Sequence, residues 1–148
     1  MIFEKVSLVT GGFDPIHSGH LRYFESAKNY SDYLVVGLNS DSWLNRKKEQ
    51  YFQSWAERAD IIRHLNMVDV VISWDDKDDS ACGTIAKCLE IADNVIFCNG
   101  GDRGKENTPE VMGYGENHRV KFEYGVGGTD KLNSSSWILH NYFNRQRK

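Results

Sequence analysis

Short apolar runs alternate along the chain with segments in which apolar residues recur every three or four positions. Val6 to Thr10 (VSLVT) reads as a buried strand that runs into the turn Gly11-Gly12. After His17, the residues Leu21, Phe24, Ala27 and Tyr30 repeat at helical spacing. Tyr33 to Leu38 reads as a second strand. Trp55 to Leu65 reads as a helix with Ala59, Ile62 and Leu65 on one face. Ser54 precedes that helix and Glu57 follows three residues later, a capping-box pattern. Val68 to Trp74 reads as a third strand, and Ser80 to Ala92 as a helix with Ile85, Leu89 and Ala92 inward. Val95 to Cys98 and Val120 to Tyr124 read as strands four and five. A last helix opens at Ser134 or Ser135 and runs through Tyr142. Strands that are apolar throughout, separated by helices, predict an α/β fold: a Rossmann-like, doubly wound, five-stranded parallel sheet with helices on both faces, in one domain over residues 1–148. Ligands of such sheets bind beyond the carboxyl ends of the strands.

Composition narrows the function. Eighteen Lys and Arg against 21 Asp and Glu leave a net charge of −3. A general nucleic-acid binder needs a basic footprint, so that class is excluded, while a small anion held by a few local cations is not. No apolar run approaches the ~20 residues of a membrane span, and the first residues lack the pattern of a secretion signal. Cys82, Cys88 and Cys98 form no CxxC pair and read as free thiols in a reducing compartment, which predicts a cytoplasmic protein. Asp75-Asp76-Lys77-Asp78-Asp79 reads as a solvated loop complementing the dipole of the next helix. The four tryptophans read mainly as packing residues.

The chemistry concentrates in Thr10-Gly11-Gly12-Phe13-Asp14-Pro15-Ile16-His17-Ser18-Gly19-His20, which leaves a strand and opens a helix. Glycines let backbone approach an anionic ligand closely, and Gly19 keeps the space between the two histidines open. His17 and His20, three residues apart, fall on one side of a first helical turn. Two imidazoles and free N–H groups at the positive end of a helix dipole form a compact donor cluster for phosphate oxygens.

This strand–GGFDP–HxGH–helix segment resembles the HxGH nucleotidyltransferases, the cytidylyltransferase-like family, and the resemblance extends over the whole chain. Gly37-Leu38-Asn39-Ser40-Asp41 resembles the family's NSD ending of strand two. Lys47 stands where relatives carry a lysine for the triphosphate, and Arg58 stands where they have an arginine opening a helix. Gly100-Gly101-Asp102 resembles the GGD after strand four, and Ser134-Ser135-Ser136-Trp137-Ile138 resembles a C-terminal serine motif at a helix start. Glu49 replaces a second lysine that relatives can carry. The R-T dipeptide that precedes the serine motif in cytidylyltransferase members is missing, which leaves Lys131 as a substitute cation.

The resemblance implies transfer of an NMP group from ATP or CTP to a small phosphorylated acceptor, with release of pyrophosphate. His17, His20 and Lys47 would be catalytic. Gly11, Gly12, Phe13, Asp14, Gly19, Gly101, Asp102, Ser134, Ser135 and Ser136 would bind nucleotide. Arg58 and Asp41 would contact acceptor or triphosphate. Mg²⁺ would enter with the nucleotide and without a direct protein ligand, Asp14 being the one side chain open to either a metal contact or a turn role. A homodimer is implied as well. The family's short members divide between a heptose-1-phosphate adenylyltransferase activity, toward which the NSD, GGD and Val71–Asp76 segments lean, and a glycerol-3-phosphate cytidylyltransferase activity. A non-catalytic nucleotide-binding module is the reading of another class.

Overall fold

Val6 and Leu8 point to one side of the first strand and Val9 to the other, and all three are fully buried. A strand buried on both faces must be sandwiched between helical layers. The computed structural model describes residues 2–101, 103–128 and 134–146. In chain order its elements are β1 (Phe3–Gly11), α1 (Ser18–Lys28), β2 (Leu34–Leu38), α2 (Asp41–Lys48), α3 (Trp55–Arg63), β3 (Val70–Ile72), α4 (Cys82–Leu89), β4 (Ala92–Cys98), α5 (Val111–Tyr114), β5 (Val120–Glu123) and α6 (Ser135–Gln146). A 3-10 turn at Lys105–Asn107 precedes α5.

The strands form one five-stranded sheet in the order β3-β2-β1-β4-β5, with every neighbouring pair parallel. On one face, Val9, Val36, Leu38 and Ile96 pack against Phe24 and Ala27 of α1 and Ala59 and Ile62 of α3. On the other, Val6, Leu8, Val35, Val95 and Phe97 pack against Ile85 and Cys88 of α4. The predicted Rossmann-like sheet with helices on both faces is the observed one.

Differences from the sequence-based expectations are local. β3 is shorter than Val68–Trp74. The helix expected to reach Ala92 stops at Leu89, because Ala92 already pairs with Phe3 across β1 and β4. Helix α2 was not expected. It exposes most of its polar residues and buries only Leu44, so it has no apolar stripe to read; the Ser40 hydroxyl caps it by accepting from the Trp43 N–H at 3.0 Å. Ser54 caps α3 as expected, its hydroxyl accepting from the Glu57 N–H at 3.3 Å. The three cysteines are free, and burial pushes the Cys88 and Cys98 thiols up to about 12. Among the described residues no helix is long and apolar enough to cross a membrane.

Candidate active site

An open cleft of about 780 Å³ lies beyond the carboxyl ends of the central strands, where the parallel-sheet rule places a ligand. β1 supplies Thr10 and Gly11 at its floor. The N-termini of α1 and α6 bring His17, Gly19, His20 and Ser134 to Ser136 to its wall. To one side lie Asn39, Trp43, Lys48, Trp74 and Asp79. To the other lie Tyr23, Asn99, Arg103 and Glu110.

The histidine pair is built by the helix start itself. His17 caps α1: its Nδ1 accepts from the Gly19 N–H at 3.1 Å, and the His17 N–H donates to His20 Nδ1 at 3.1 Å. A ring nitrogen that accepts from an amide carries no proton, so in each imidazole a donor proton can sit only on Nε2. The rings stack with centroids 3.7 Å apart, and Phe13 meets His20 edge-on. Phe13 does this from φ 48°, a left-handed conformation unusual for a residue with a side chain. Gly19 is required here, since a Cβ would come within 2.9 Å of the His17 ring.

Burial, then the neighbouring His17 and Lys48, push the His20 pKa down to about 3. His20 is therefore neutral at physiological pH. Between pH 6.5 and about 3 the unfolded chain takes up a proton that native His20 refuses, so its contribution to stability falls as the pH drops, by up to about 1.4 kcal/mol per unit. Urea titrations should show that His20→Gln loses about 2 kcal/mol less than the wild type between pH 7 and pH 5. Equal losses would mean that His20 titrates normally.

Several residues expected at the ligand support the site from behind. Arg58 is 1% exposed. Its guanidinium donates to the carbonyls of Gln53 (2.9 Å), Gly12 (2.9 Å) and Asn39 (2.8 Å), and to the Asp41 carboxylate (2.7 Å). It joins the turn after β1 to the end of β2 and does not line the cleft, and Asp41 is its partner rather than a cleft residue. Gly12 also lies behind the wall, where a Cβ would come within 2.7 Å of the Leu44 side chain. Asp14, buried, accepts from the Phe52 and Gln53 N–H groups at 2.6 and 2.7 Å. These bonds tie the turn after β1 to the segment that precedes α3.

The lysines also depart from expectation. Lys47 sits in the last turn of α2 and pairs with Asp79 at 3.5 Å. Lys48 lines the cleft and Lys47 does not. Asp79 also accepts from Arg46 at 3.0 Å, and that bond, together with Lys47, holds its carboxyl below the usual range. Asp79 thus holds Arg46 and Lys47 together at the end of α2. Surface pairs of this kind are weak, so Asp79→Asn should tighten triphosphate binding by only about two- to fivefold in calorimetry; weaker binding would show that Asp79 assists the ligand.

Asp76 overturns the reading of 75–79 as a wholly solvated loop. It is buried, and it accepts from Asn39 Nδ2 (3.1 Å), the Ser40 N–H (2.8 Å) and the Ser40 hydroxyl (2.8 Å). Burial disfavours its charge, but these bonds outweigh that and keep its pKa low. Asp76 therefore sets the start of α2.

At α6 the serines divide their work. Ser134 accepts from the Trp137 N–H at 3.0 Å as the helix cap, Ser135 donates to the Pro15 carbonyl at 2.6 Å, and Ser136 faces the cleft. Trp137 is exposed and not a cleft residue. Asp102 and Lys131 lie outside the described residues. Gly127, at φ 86°, lets the chain after β5 pass so close to α1 that a Cβ would come within 2.9 Å of the Tyr23 Cα.

Trp43, Trp74, Tyr23, Asn99, Arg103 and Glu110 complete the cleft without having been singled out for it. Their one sequence signal is position, in the segments that follow β2, β3 and β4 or on the cleft side of α1.

The family model described as cytidylyltransferase-like matches residues 8–102. The bifunctional protein HldE of Geobacter metallireducens is 33% identical over 144 residues, which is 94% of this chain and 28% of that protein. HldE of Geobacter sulfurreducens is 31% identical with the same coverage. The chain thus spans under a third of the length of these relatives. Among solved structures, the lipopolysaccharide core biosynthesis protein of Thermoplasma volcanium matches with a TM-score of 0.64 at 24% identity, covering 86% of this chain and 98% of that one. This last likeness is one of fold.

Proposed function

The chain belongs to the cytidylyltransferase-like family, whose members are nucleotidyltransferases, and from that premise we propose that it moves AMP from ATP to a small sugar phosphate, heptose 1-phosphate being the first candidate. The observation that carries this reading is the pair of imidazoles held by their own helix start, with both Nδ1 atoms engaged by backbone and both rings lining a cleft between two helix N-termini. The similarity to HldE over 94% of the chain supports the sugar-phosphate branch.

An acceptor phosphate oxygen attacks the α-phosphorus in line, and the bond to the β-phosphate oxygen breaks, releasing pyrophosphate. A phosphate monoester is already anionic, so no strong base is needed, and catalysis is positioning plus charge stabilisation. His17 and His20 donate to the phosphate oxygens as charge builds up there. Ser136 and the α6 N-terminus hold the outer phosphates. Lys48 supplies charge from the wall, and Lys47 follows once Asp79 releases it. Among the described residues no cluster of three or more side chains is arranged to hold a metal, and Asp14 is committed to backbone. A magnesium ion would come with the nucleotide and supply charge neutralisation there. Trp137, Tyr142 and Phe143, each more than half exposed on α6, support a homodimer in solution.

The test is pyrophosphate release with Mg²⁺, crossing ATP and CTP against heptose 1-phosphate and glycerol 3-phosphate. Turnover with ATP and heptose 1-phosphate is the expected result. Turnover with CTP and glycerol 3-phosphate would assign the chain to the cytidylyltransferase branch. Nucleotide binding without turnover on any acceptor would make it a binding module.

A further inference from the structure

Glu110 is 1% exposed and forms part of the cleft wall on the β4/β5 side, away from the lysines. Its Oε1 accepts from Arg103 at 3.3 Å, while its Oε2 is buried with no hydrogen-bond partner. A buried carboxylate oxygen without a donor is costly, and such atoms are few in native proteins. The arrangement around it is rigid. Asn99 is buried, and its Nδ2 donates to the carbonyls of Phe97 and Glu123 at 3.3 and 3.2 Å, which fixes it to the sheet. Its Oδ1 then accepts from Arg103 Nη1 at 3.2 Å, the same nitrogen that holds Glu110. A chain anchored in the strands thus sets an acceptor-only group beside a donor-only group in one wall.

We propose that Glu110 and Arg103 together read the edge of the nucleotide base and select amino-bearing bases over keto-bearing ones. The assignment rests on the nucleotide-binding reading above and adds the residues that choose the base. Adenine and cytosine present an amino N–H beside an unprotonated ring nitrogen. The N–H fits the unpartnered Glu110 oxygen, and the ring nitrogen fits a guanidinium N–H. Bases with a keto oxygen beside a ring N–H present the reverse order, setting acceptor against carboxylate and donor against guanidinium. A site built to pair polar groups rejects such an analogue because its own buried groups are left unpaired.

Inosine triphosphate differs from ATP by this exchange alone, and UTP differs from CTP in the same way. The experiment measures Kd by calorimetry for all four on the wild type and on Glu110→Gln, with melting temperatures to show that the variant folds. The wild type should prefer the amino member of the tighter-binding pair by about tenfold or more, and Glu110→Gln, which can turn its amide to donate, should reduce that ratio about tenfold. A ratio that Glu110→Gln leaves unchanged, whether it weakens both members equally or neither, overturns the assignment. Absence of binding by all four nucleotides to the wild type overturns the nucleotidyltransferase reading itself, and this assignment with it.

Discussion

His17→Asn should lower kcat for nucleotidyl transfer by about 10²–10³-fold while leaving the melting temperature nearly unchanged. The pairing of these outcomes follows from the two tasks of one ring. Nδ1 caps α1 by accepting from the Gly19 N–H, and in the proposed mechanism Nε2 carries the donor for the phosphates. Asparagine is a strong N-cap, so the helix keeps its start, but its side chain is too short to replace Nε2. Alanine at the same position should lose activity and also about 1 kcal/mol of stability, the cost of an emptied cap. His20→Ala should match the loss of kcat, because its neutral ring has the same donor role. The effect belongs in kcat rather than in nucleotide Kd, since the donors act on charge that grows in the transition state. Wild-type kcat in His17→Asn would rule out the imidazole as a donor.

The second large effect is structural. Arg58→Met should destabilise the protein by about 3–5 kcal/mol, because it leaves three carbonyls and the Asp41 carboxylate without their shared partner. For a chain of this size that corresponds to a fall in melting temperature of roughly 10 °C. Below the transition the KM for the acceptor should change little, as Arg58 does not line the cleft. A large rise in KM with an unchanged melting temperature would instead make Arg58 a ligand contact, the role its place in the sequence suggests.

Arg58 shows where sequence reading stops. Its position at the start of α3 was legible, but the direction of its guanidinium was not. That direction depends on carbonyls at residues 12 and 39, which come near only when β1 and β2 pair. Lys47 and Lys48 are a similar case. Adjacent on a helix, they point about 100° apart, and which one reaches the cleft depends on how α2 docks. Leu44, the one buried residue of that helix, gives no periodicity from which to predict the docking. Asp76 looked like one of four interchangeable acids in a charge run, until the end of β2 supplied three donors to it alone. Glu110 had no motif at all, and it becomes conspicuous only because Asn99, Arg103 and the sheet close around it.

What the sequence by itself determined is whatever rests on neighbours in the chain. The buried strands fixed the layers, since an apolar run with no polar face must be covered on both sides. The GGFDP–HxGH segment defined the histidine turn, since a strand, a tight turn and a capped helix start are made by contiguous residues, and the two histidines lock each other across three positions. Tertiary structure decided which cations face the ligand, which buried charges hold the framework and which carboxylate lacks a partner. Each of these depends on groups up to dozens of residues apart that meet only when the sheet assembles, and a hydrogen bond forms only between groups brought within about 3 Å.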